Sequence, residues 1–262
     1  MTLQRTGGIR AGMRAPVTTP CTAAAGSQPG EPVCFHCPAR MSDLCAGVPD
    51  DELKLMAAIS KHLTLEPGET LILDGDASDH VYNVVSGTLM MTRLGADGRR
   101  QILAFLLTGS FIGFSSDQLY KFNVEAVAPA ELCRFERKKI EPLFQAFPEM
   151  ERGLRRMAAK VIEDSLDLVF TLGRRNATER VSAFLLHLRS AQRGEMETPP
   201  GPGHAWQIPM TRTDIADYLG LTIETVSRVL SRLKAKGIVR LPTLHSFEIA
   251  DEARLVAAAG EA

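Results

Sequence analysis

The 262-residue sequence predicts an α+β protein in which a β-rich part is followed by one long helix and a smaller, mostly helical part. Short apolar segments alternate with turn residues at intervals of roughly ten residues between Leu63 and Phe135, which is typical of a β-sandwich or barrel. A helical apolar pattern then runs from Met150 to Leu172. Residues 205–255 follow the order strand, helix, turn, helix, hairpin.

The composition is that of a soluble globular protein, with 45% hydrophobic and 23% charged residues. No apolar segment approaches the roughly 20 residues of a membrane helix, and Met1–Gly30 lacks the apolar stretch of a secretory signal. We therefore expect a cytoplasmic protein with no membrane partner, in which thiols stay reduced. The five cysteines are then ligands, reactive thiols or core residues rather than a disulfide framework.

Charge is divided unevenly along the chain. Residues Arg174–Arg240 carry eleven Lys and Arg against six Asp and Glu, a net charge of +5. Because the whole chain has a net charge of −1, the remainder carries −6. A basic segment in an acidic chain suits contact with nucleic acid, although an ordinary solvated surface is an alternative explanation.

The N-terminal part begins with residues 1–31, whose Gly, Ala, Thr and Pro without periodicity predict a disordered tail. Residues 32–47 form a cysteine loop, and residues 48–146 form the β-rich domain, which starts with a short amphipathic helix at Asp50–Lys61. Strands are expected at Thr70–Leu73, Val81–Val85, Leu89–Leu94, Gln101–Leu106 and Val124–Phe135.

Residues 147–174 are expected to form one long helix with two apolar stripes. One stripe consists of Leu154, Val161, Leu168 and Leu172, and the other of Ala158, Ile162, Ser165 and Val169. A helix that is apolar on two faces needs two partners. We expect the first stripe to cover the β-rich domain and the second to pair with its copy in another chain, as in a coiled coil. The alternative is a single wide face buried in one core.

Residues 175–255 form the C-terminal domain, which begins with a helix at Ala177–Arg193. Thr211 and Asp214 resemble a capping box that starts the next helix, with Asp in place of the usual Glu. Gly220 supplies the positive φ of a tight turn between helices, and Thr222 then caps the second helix. A hairpin at Ile238–Ile249 would form a wing beside this helix-turn-helix.

The second helix presents the side chains that a DNA recognition helix needs. Glu224, Ser227 and Arg228 lie near its N-terminus, where they can reach base edges in the major groove. Basic residues suited to phosphate contacts follow at Arg232, Lys234, Lys236 and Arg240. The alternative is an amphipathic helix pair that belongs to some other core.

The cysteines Cys34, Cys37 and Cys45 lie in one loop, and Cys133 follows in a strand. Three thiolates in a loop and a remote fourth would complete the all-cysteine shell of an iron–sulfur cluster. A zinc site that uses His36 with the loop cysteines, or a thiol switch at the Cys-x2-Cys pair, would fit the same spacing. Cys133 would also suit a core position, and Cys21 has no place in the pattern.

Over roughly Val33–Glu252 the chain resembles the CRP/FNR family, and within it the FNR-type, oxygen-responsive branch. The resemblance depends on Glu224, Ser227 and Arg228 within LTIETVSRVLSRL, on the helix RRNATERVSAFLLHL, and on the β segment with EPGE, DGD and VVSGT. It implies an N-terminal β-roll of the cyclic-nucleotide-binding type as sensor domain, a long dimerisation helix and a C-terminal winged helix-turn-helix. It also implies inverted repeats of TTGAT-like half-sites, in which Arg228 reads the G·C pair and Ser227 a thymine, with Glu224 beside them.

The same resemblance implies an oxygen-labile [4Fe-4S] cluster held by Cys34, Cys37, Cys45 and Cys133. Related β-rolls clamp a cyclic nucleotide with Gly-Glu and Arg-Ser pairs. Here Gly113 is followed by Phe114 and no Arg-Ser follows, so we expect no cyclic nucleotide. The expected partners are palindromic double-stranded DNA, a second copy of the chain and RNA polymerase. An enzyme is not expected, because the sequence contains no Ser-His-Asp order, P-loop, GxGxxG or HExxH motif.

Overall fold

The computed structural model describes residues 17–20, 34, 37–41, 44–113, 115, 118–194, 200–201 and 203–260. It confirms the predicted architecture of an N-terminal β-roll, a long helix and a C-terminal winged helix-turn-helix. The strands, numbered along the chain, are β1 (Val17–Pro20), β2 (Ser60–Leu65), β3 (Thr70–Ile72), β4 (His80–Ser86), β5 (Leu89–Leu94), β6 (Arg100–Leu106), β7 (Phe111–Ile112), β8 (Asn123–Ala126), β9 (Ala130–Glu136), β10 (Trp206–Gln207), β11 (Val239–Thr243) and β12 (Ser246–Ile249).

The helices are α1 (Asp50–Ile59), α2 (Arg137–Ala146), α3 (Pro148–Arg174), α4 (Ala177–Gly194), α5 (Arg212–Leu219), α6 (Ile223–Ala235) and α7 (Glu252–Ala258), with a short 3-10 helix at Pro38–Met41. Within the described residues, no helix combines the length and apolarity needed to cross a membrane.

The β-roll is made of two antiparallel sheets that enclose one apolar layer. A five-stranded sheet has the order β1-β2-β9-β4-β7, and a four-stranded sheet has the order β3-β8-β5-β6. Alternate side chains of each strand point into the space between the sheets. Leu63, Val84 and Leu132 of one sheet meet Leu89 and Val124 of the other there, in a cluster that we call the roll core.

The opposite face of the five-stranded sheet carries a second apolar cluster, which we call the sensor core. Cys133 and Phe135 of β9 contribute to it from the sheet. The helices α1, α2 and the first turns of α3 cover this face, with Leu53, Ile140 and Met150 fully buried in the cluster. The sensor core therefore joins the sheet, the cysteine loop and the start of the long helix.

The C-terminal domain has its own core, formed by α4 to α7 and a three-stranded sheet with the order β10-β12-β11. Its inward residues include Val226, Val229, Leu230 and Leu233 of α6, as the helical spacing predicts. The hairpin of β11 and β12 confirms the predicted wing.

Five features of the N-terminal and C-terminal parts differ from the sequence prediction. The strand β2 was not predicted and begins at Ser60, inside the helix expected at Asp50–Lys61. The expected disorder of residues 1–31 is wrong for 17–20, where β1 pairs antiparallel with β2. The expected single strand at Val124–Phe135 is divided into β8 and β9. The helix α2 lies inside the segment predicted as β-rich, and the chain ends with α7, which was not predicted.

Candidate nucleic-acid interface and cysteine site

The helix pair α5 and α6 has the caps and turn that the sequence predicts. The Thr211 hydroxyl accepts from the Asp214 N–H at 3.1 Å, and the Asp214 carboxylate accepts in return from the Thr211 N–H at 2.9 Å, which completes the capping box. Gly220 ends α5 with φ 61° and ψ 43°, a conformation that costs little only for glycine. Thr222 caps α6 by accepting from the Thr225 N–H at 3.3 Å.

One face of α6 is free for contact. Glu224, Ser227 and Arg228 are exposed, while the residues between them, such as Val226, point into the C-terminal core. The Glu224 N–H at the helix N-terminus and the Thr222 hydroxyl hold the pKa of the Glu224 carboxyl below its ordinary value, with a smaller contribution from Arg228. The face therefore presents an ionised acceptor, a hydroxyl and a guanidinium close together.

Basic residues follow further along α6 and on the wing. Arg232, Lys234 and Lys236 are exposed in the last turns and at the end of the helix. Arg240, on the wing, lies 3.4 Å from the Glu248 carboxylate, so this guanidinium is partly neutralised within the hairpin. Arg212 at the start of α5 donates to the Leu244 carbonyl of the wing turn at 3.3 Å, a link between helix and wing that sequence reasoning missed.

The four cysteines of the predicted site lie in or against the same apolar cluster, the sensor core. Cys34, Cys37 and Cys45 are half-buried and pack against the sensor core, of which Cys133 is a buried member. The 3-10 helix that follows Cys37 packs on β4, the strand beside Cys133. His36 and Cys21 lie outside the described residues.

Arg40 holds the cysteine loop together. Its guanidinium donates to the carbonyl of Cys45 and, at 2.9 Å, to that of Val48, and its own N–H donates to the Cys37 carbonyl at 2.8 Å. One side chain thus connects the chain segments that carry the second and third loop cysteines. In the described part of the chain, no three His, Cys, Asp or Glu side chains are arranged as they stand to hold a metal ion.

Asn83 lies directly opposite Cys133 in the register of β4 and β9. Its side chain is buried, and its Oδ1 atom has no hydrogen-bond partner. A buried polar atom without a partner is costly in an apolar cluster. Its position next to Cys133 marks this spot as polar within the sensor core.

The helix α3 exposes an apolar face beyond its contact with the sensor core. Ile162 is 60% exposed and Val169 is 67% exposed, and Leu166 and Phe170 extend the same surface. In the other predicted stripe, Leu154 packs against the sensor core, but Val161 is 48% exposed and does not cover the β-roll as expected. A second chain is the partner that the sequence predicts for this face, which includes Ala158 and Ser165.

Comparison with known protein families finds two matches that divide the chain as the fold does. Residues 62–147 match the cyclic nucleotide-binding domain, and residues 179–258 match the Crp-like helix-turn-helix domain. The first covers the β-roll, and the second contains the helix pair described above.

Proteins of several bacteria are similar over most of their length. The nitrogen fixation regulation protein FixK of Bradyrhizobium diazoefficiens is 33% identical, covering 88% of this chain and 96% of that protein. The transcriptional activator protein FnrL of Cereibacter sphaeroides is 33% identical, covering 87% and 92%. The structure of FixK2 from Bradyrhizobium japonicum superposes with a TM-score of 0.69 at 30% identity, covering 76% of this chain and 97% of that one.

Proposed function

Because the chain belongs to the CRP/FNR family of DNA-binding transcription regulators, we propose that it binds inverted repeats of TTGAT-like half-sites as a homodimer and responds to oxygen through an iron–sulfur cluster. The relatives that match almost end to end are regulators and not enzymes, which agrees with the absence of catalytic motifs from the sequence. The observation that carries the DNA part of the proposal is the exposed face of α6, with three polar side chains of complementary chemistry.

Each side chain of this face has a role in reading the half-site. The Arg228 guanidinium suits a bidentate contact with O6 and N7 of guanine. The ionised Glu224 carboxylate accepts from cytosine N4–H, and the Ser227 hydroxyl contacts a thymine. Thr211, Thr222 and the basic residues Arg232, Lys234 and Lys236 contact phosphates and fix the register.

A homodimer follows from the exposed face of α3. Ala158, Ile162, Ser165 and Val169 repeat at 4-3-4 spacing, which produces one seam when two helices pair. Pairing would remove the large apolar side chains of this face from water, and it would place two copies of α6 on one duplex. RNA polymerase is the further partner that we propose for a regulator of this kind.

The cysteine site fits an iron–sulfur cluster in its chemistry. Cys34, Cys37, Cys45 and Cys133 would hold the cluster, since four thiolates are the ligand set that such clusters need and all four lie in or against the sensor core. The partnerless Asn83 amide oxygen beside Cys133 supports a polar occupant at this place. A bound cluster would supply oxygen-labile iron.

The sensor core provides a route from the cysteines to the dimer. Met150 and Met157 of α3 are buried in the same cluster as Cys133, and Arg156 donates to the Ala46 carbonyl of the cysteine loop at 3.4 Å. A displacement of the loop would therefore change the packing of the first turns of α3. Moving the balance between monomer and dimer from 1:99 to 99:1 requires about 5.5 kcal/mol. To supply this free energy, the loop has to pack differently against α3 in the two states.

A cyclic nucleotide is not part of the proposal. Arg137, the guanidinium that contacts the Gly113 segment, donates to the carbonyls of Ser78 at 2.8 Å and Gly113 at 2.5 Å. Its Nε and Nη2 atoms thus donate to backbone oxygens. The roll core between the two sheets is filled by large apolar side chains such as Ile112 and Leu132.

Cys133→Ser tests the sensing part of the proposal. Serine is almost isosteric, so a simple core residue should tolerate the change, whereas iron prefers the thiolate to an alcohol. After anaerobic reconstitution we expect the variant to hold little iron and sulfide, to lack broad visible absorbance, and to keep the circular dichroism of the folded protein.

Loop variants Cys34→Ser, Cys37→Ser and Cys45→Ser should fail in the same way, and Cys21→Ser is the matched control that should behave as the unmodified chain. A Cys133→Ser protein with a full complement of oxygen-labile iron would overturn the four-ligand assignment. If the unmodified protein is colourless and contains zinc, the cysteines form a zinc site and not an iron–sulfur cluster.

A further inference from the structure

The β-roll touches the C-terminal domain mainly through the strand β6, and Leu107 and Val127 also pack against the C-terminal core. The strand β6 is at the edge of the four-stranded sheet, and α5 packs against it. An uncovered edge strand exposes unpaired backbone groups and pairs readily with other chains. Here the helix that supports the recognition helix lies over that edge, so the sensor and the DNA-binding domain share a contact surface.

The centre of this contact is an ionic bridge from Arg100. Its Nη2 atom lies 2.6 Å from Asp214 Oδ1, and its Nε atom lies 2.9 Å from Asp217 Oδ2. The Asp214 side chain is only 10% exposed and the Arg100 side chain 31%. We call Arg100, Asp214 and Asp217 the interdomain bridge.

Polar and aromatic contacts extend the bridge along β6. Gln101 donates from Nε2 to the Tyr218 carbonyl at 3.3 Å. The Phe105 ring lies 5.2 Å from the Tyr218 ring and 6.0 Å from the Phe184 ring, measured between centroids. These rings attach the strand to α4 as well as to α5.

The Asp214 carboxylate takes part in both the capping box and the interdomain bridge. One carboxylate oxygen, Oδ2, accepts from Thr211 in the capping box, and the other, Oδ1, accepts from Arg100. The start of α5 is therefore tied to the sensor through the same carboxylate that caps it. Ionic contacts that lose hydration contribute little net stability, but they penalise arrangements in which a charge is left alone.

We infer that Arg100 is a positioning residue for DNA binding, which sets the orientation of the recognition helix relative to the sensor. The helix α5 packs on α6 through the C-terminal core, so an orientation imposed on Asp214 and Asp217 is passed to α6. The reading face with Glu224 and Arg228 stays exposed while the bridge is closed. In a dimer, two recognition helices have to lie about 34 Å apart, which requires each domain to be held at a fixed angle.

The test measures binding to a fluorescent duplex with an inverted repeat of TTGAT, and it therefore rests on the proposed function. Arg100→Met should weaken specific binding by about tenfold and leave binding to random DNA nearly unchanged. Arg99→Met is the matched control, because Arg99 is 88% exposed and pairs with Asp97 in its own hairpin. The control should bind as the unmodified chain does.

Asp217→Asn separates positioning from simple charge. It removes a negative charge from the DNA-binding domain, so long-range electrostatics alone predicts tighter binding. The bridge predicts weaker specific binding. The double variant Arg100→Asp with Asp217→Arg retains the net charge of the unmodified chain, and it should regain more affinity than the separate effects of Arg100→Asp and Asp217→Arg add up to.

The possible outcomes distinguish a failure of the proposed DNA site from a failure of the inference about Arg100. If the unmodified chain shows no preference for the repeat, the proposed site is wrong and the same variants are compared on a sequence selected from random duplexes. If it binds specifically but Arg100→Met and Asp217→Asn bind equally well, the bridge does not position α6. Failure of the exchanged pair to regain affinity, with melting curves that show a folded protein, overturns the inference as well.

Discussion

At the scale of single residues, the proposed DNA specificity depends on exposed side chains of α6. Arg228 lies on the exposed side of α6 and donates over a long distance of 3.4 Å to the Glu224 carbonyl one turn earlier. Lys236, at the C-terminal end of the helix, is equally exposed. The two differ in position, since the first turns of a recognition helix face base edges and its later residues face the backbone of the duplex.

Arg228→Ala should abolish discrimination at one base pair of each half-site. A bidentate contact to guanine is worth about 1–3 kcal/mol, so the dimer should lose roughly 2–6 kcal/mol of specific binding. Lys236→Ala should weaken binding to all sequences alike and reduce the dependence of affinity on salt. Titration of a specific and a random duplex at several salt concentrations checks both. Equal loss on both duplexes for Arg228→Ala would contradict its role as the reading residue.

At the scale of elements, the helix-turn-helix could be predicted because its signals are local. Thr211 and Asp214 are three residues apart, and Gly220 and Thr222 mark the turn and the next cap. Each signal acts through hydrogen bonds or backbone conformation within a few residues. The spacing of apolar residues likewise predicted the long helix to within two residues at either end.

Other elements could not be predicted because distant partners create them. The helix α2 has Lys138 and Lys139 in its first turn and Pro142 inside, all unfavourable to an isolated helix. It forms because Ile140 and Phe144 are buried in the sensor core. The strand β1 forms where the edge of β2 offers unpaired backbone groups. The amino-acid composition of residues 1–31 does not indicate this pairing.

The exposed apolar face of α3 leads to a prediction about the proposed dimer. Ile162→Asp places a charge in the exposed apolar face, where pairing would strip it of water, so we expect the monomer to be favoured by at least tenfold. Lys160→Asp is the control, since it changes the charge more but lies on the opposite side of the helix from Ile162. Sedimentation equilibrium of both variants measures the proportion of monomer and dimer. An intact Ile162→Asp dimer would show that a different face forms the interface.

At the scale of the whole molecule, the candidate sites depend on contacts that join distant parts of the chain. The family resemblance predicts that Cys133 and the loop cysteines hold one group, and all four lie in or against the sensor core. The bridge from Arg100 to Asp214 spans 114 residues, and nothing in the local sequence of either residue indicates it. Arg180 is a similar case, because it donates to the carbonyls of Leu172 and Leu219 and so joins the ends of α3 and α5.

If the chain dimerises as proposed, these contacts would hold the two DNA-binding domains at a fixed orientation, which predicts a strict dependence on half-site spacing. Two recognition helices held about one helical turn apart can both reach the major groove only when the half-sites lie on the same side of the duplex. Inserting five base pairs between the TTGAT-like repeats moves one half-site to the opposite side. Each dimer would then use a single half-site.

The loss of the second contact should weaken specific binding by about 10²–10⁴-fold, because the second half-site no longer binds as part of the same complex. Ile162→Asp should bind the original and the altered duplex with similar, low affinity, since a monomer uses one half-site in either case. Anisotropy titrations of both proteins on both duplexes provide the comparison. If the unmodified chain tolerated the insertion, the two DNA-binding domains would have to move independently, and neither the bridge at Arg100 nor the junction at Arg180 would fix their orientation.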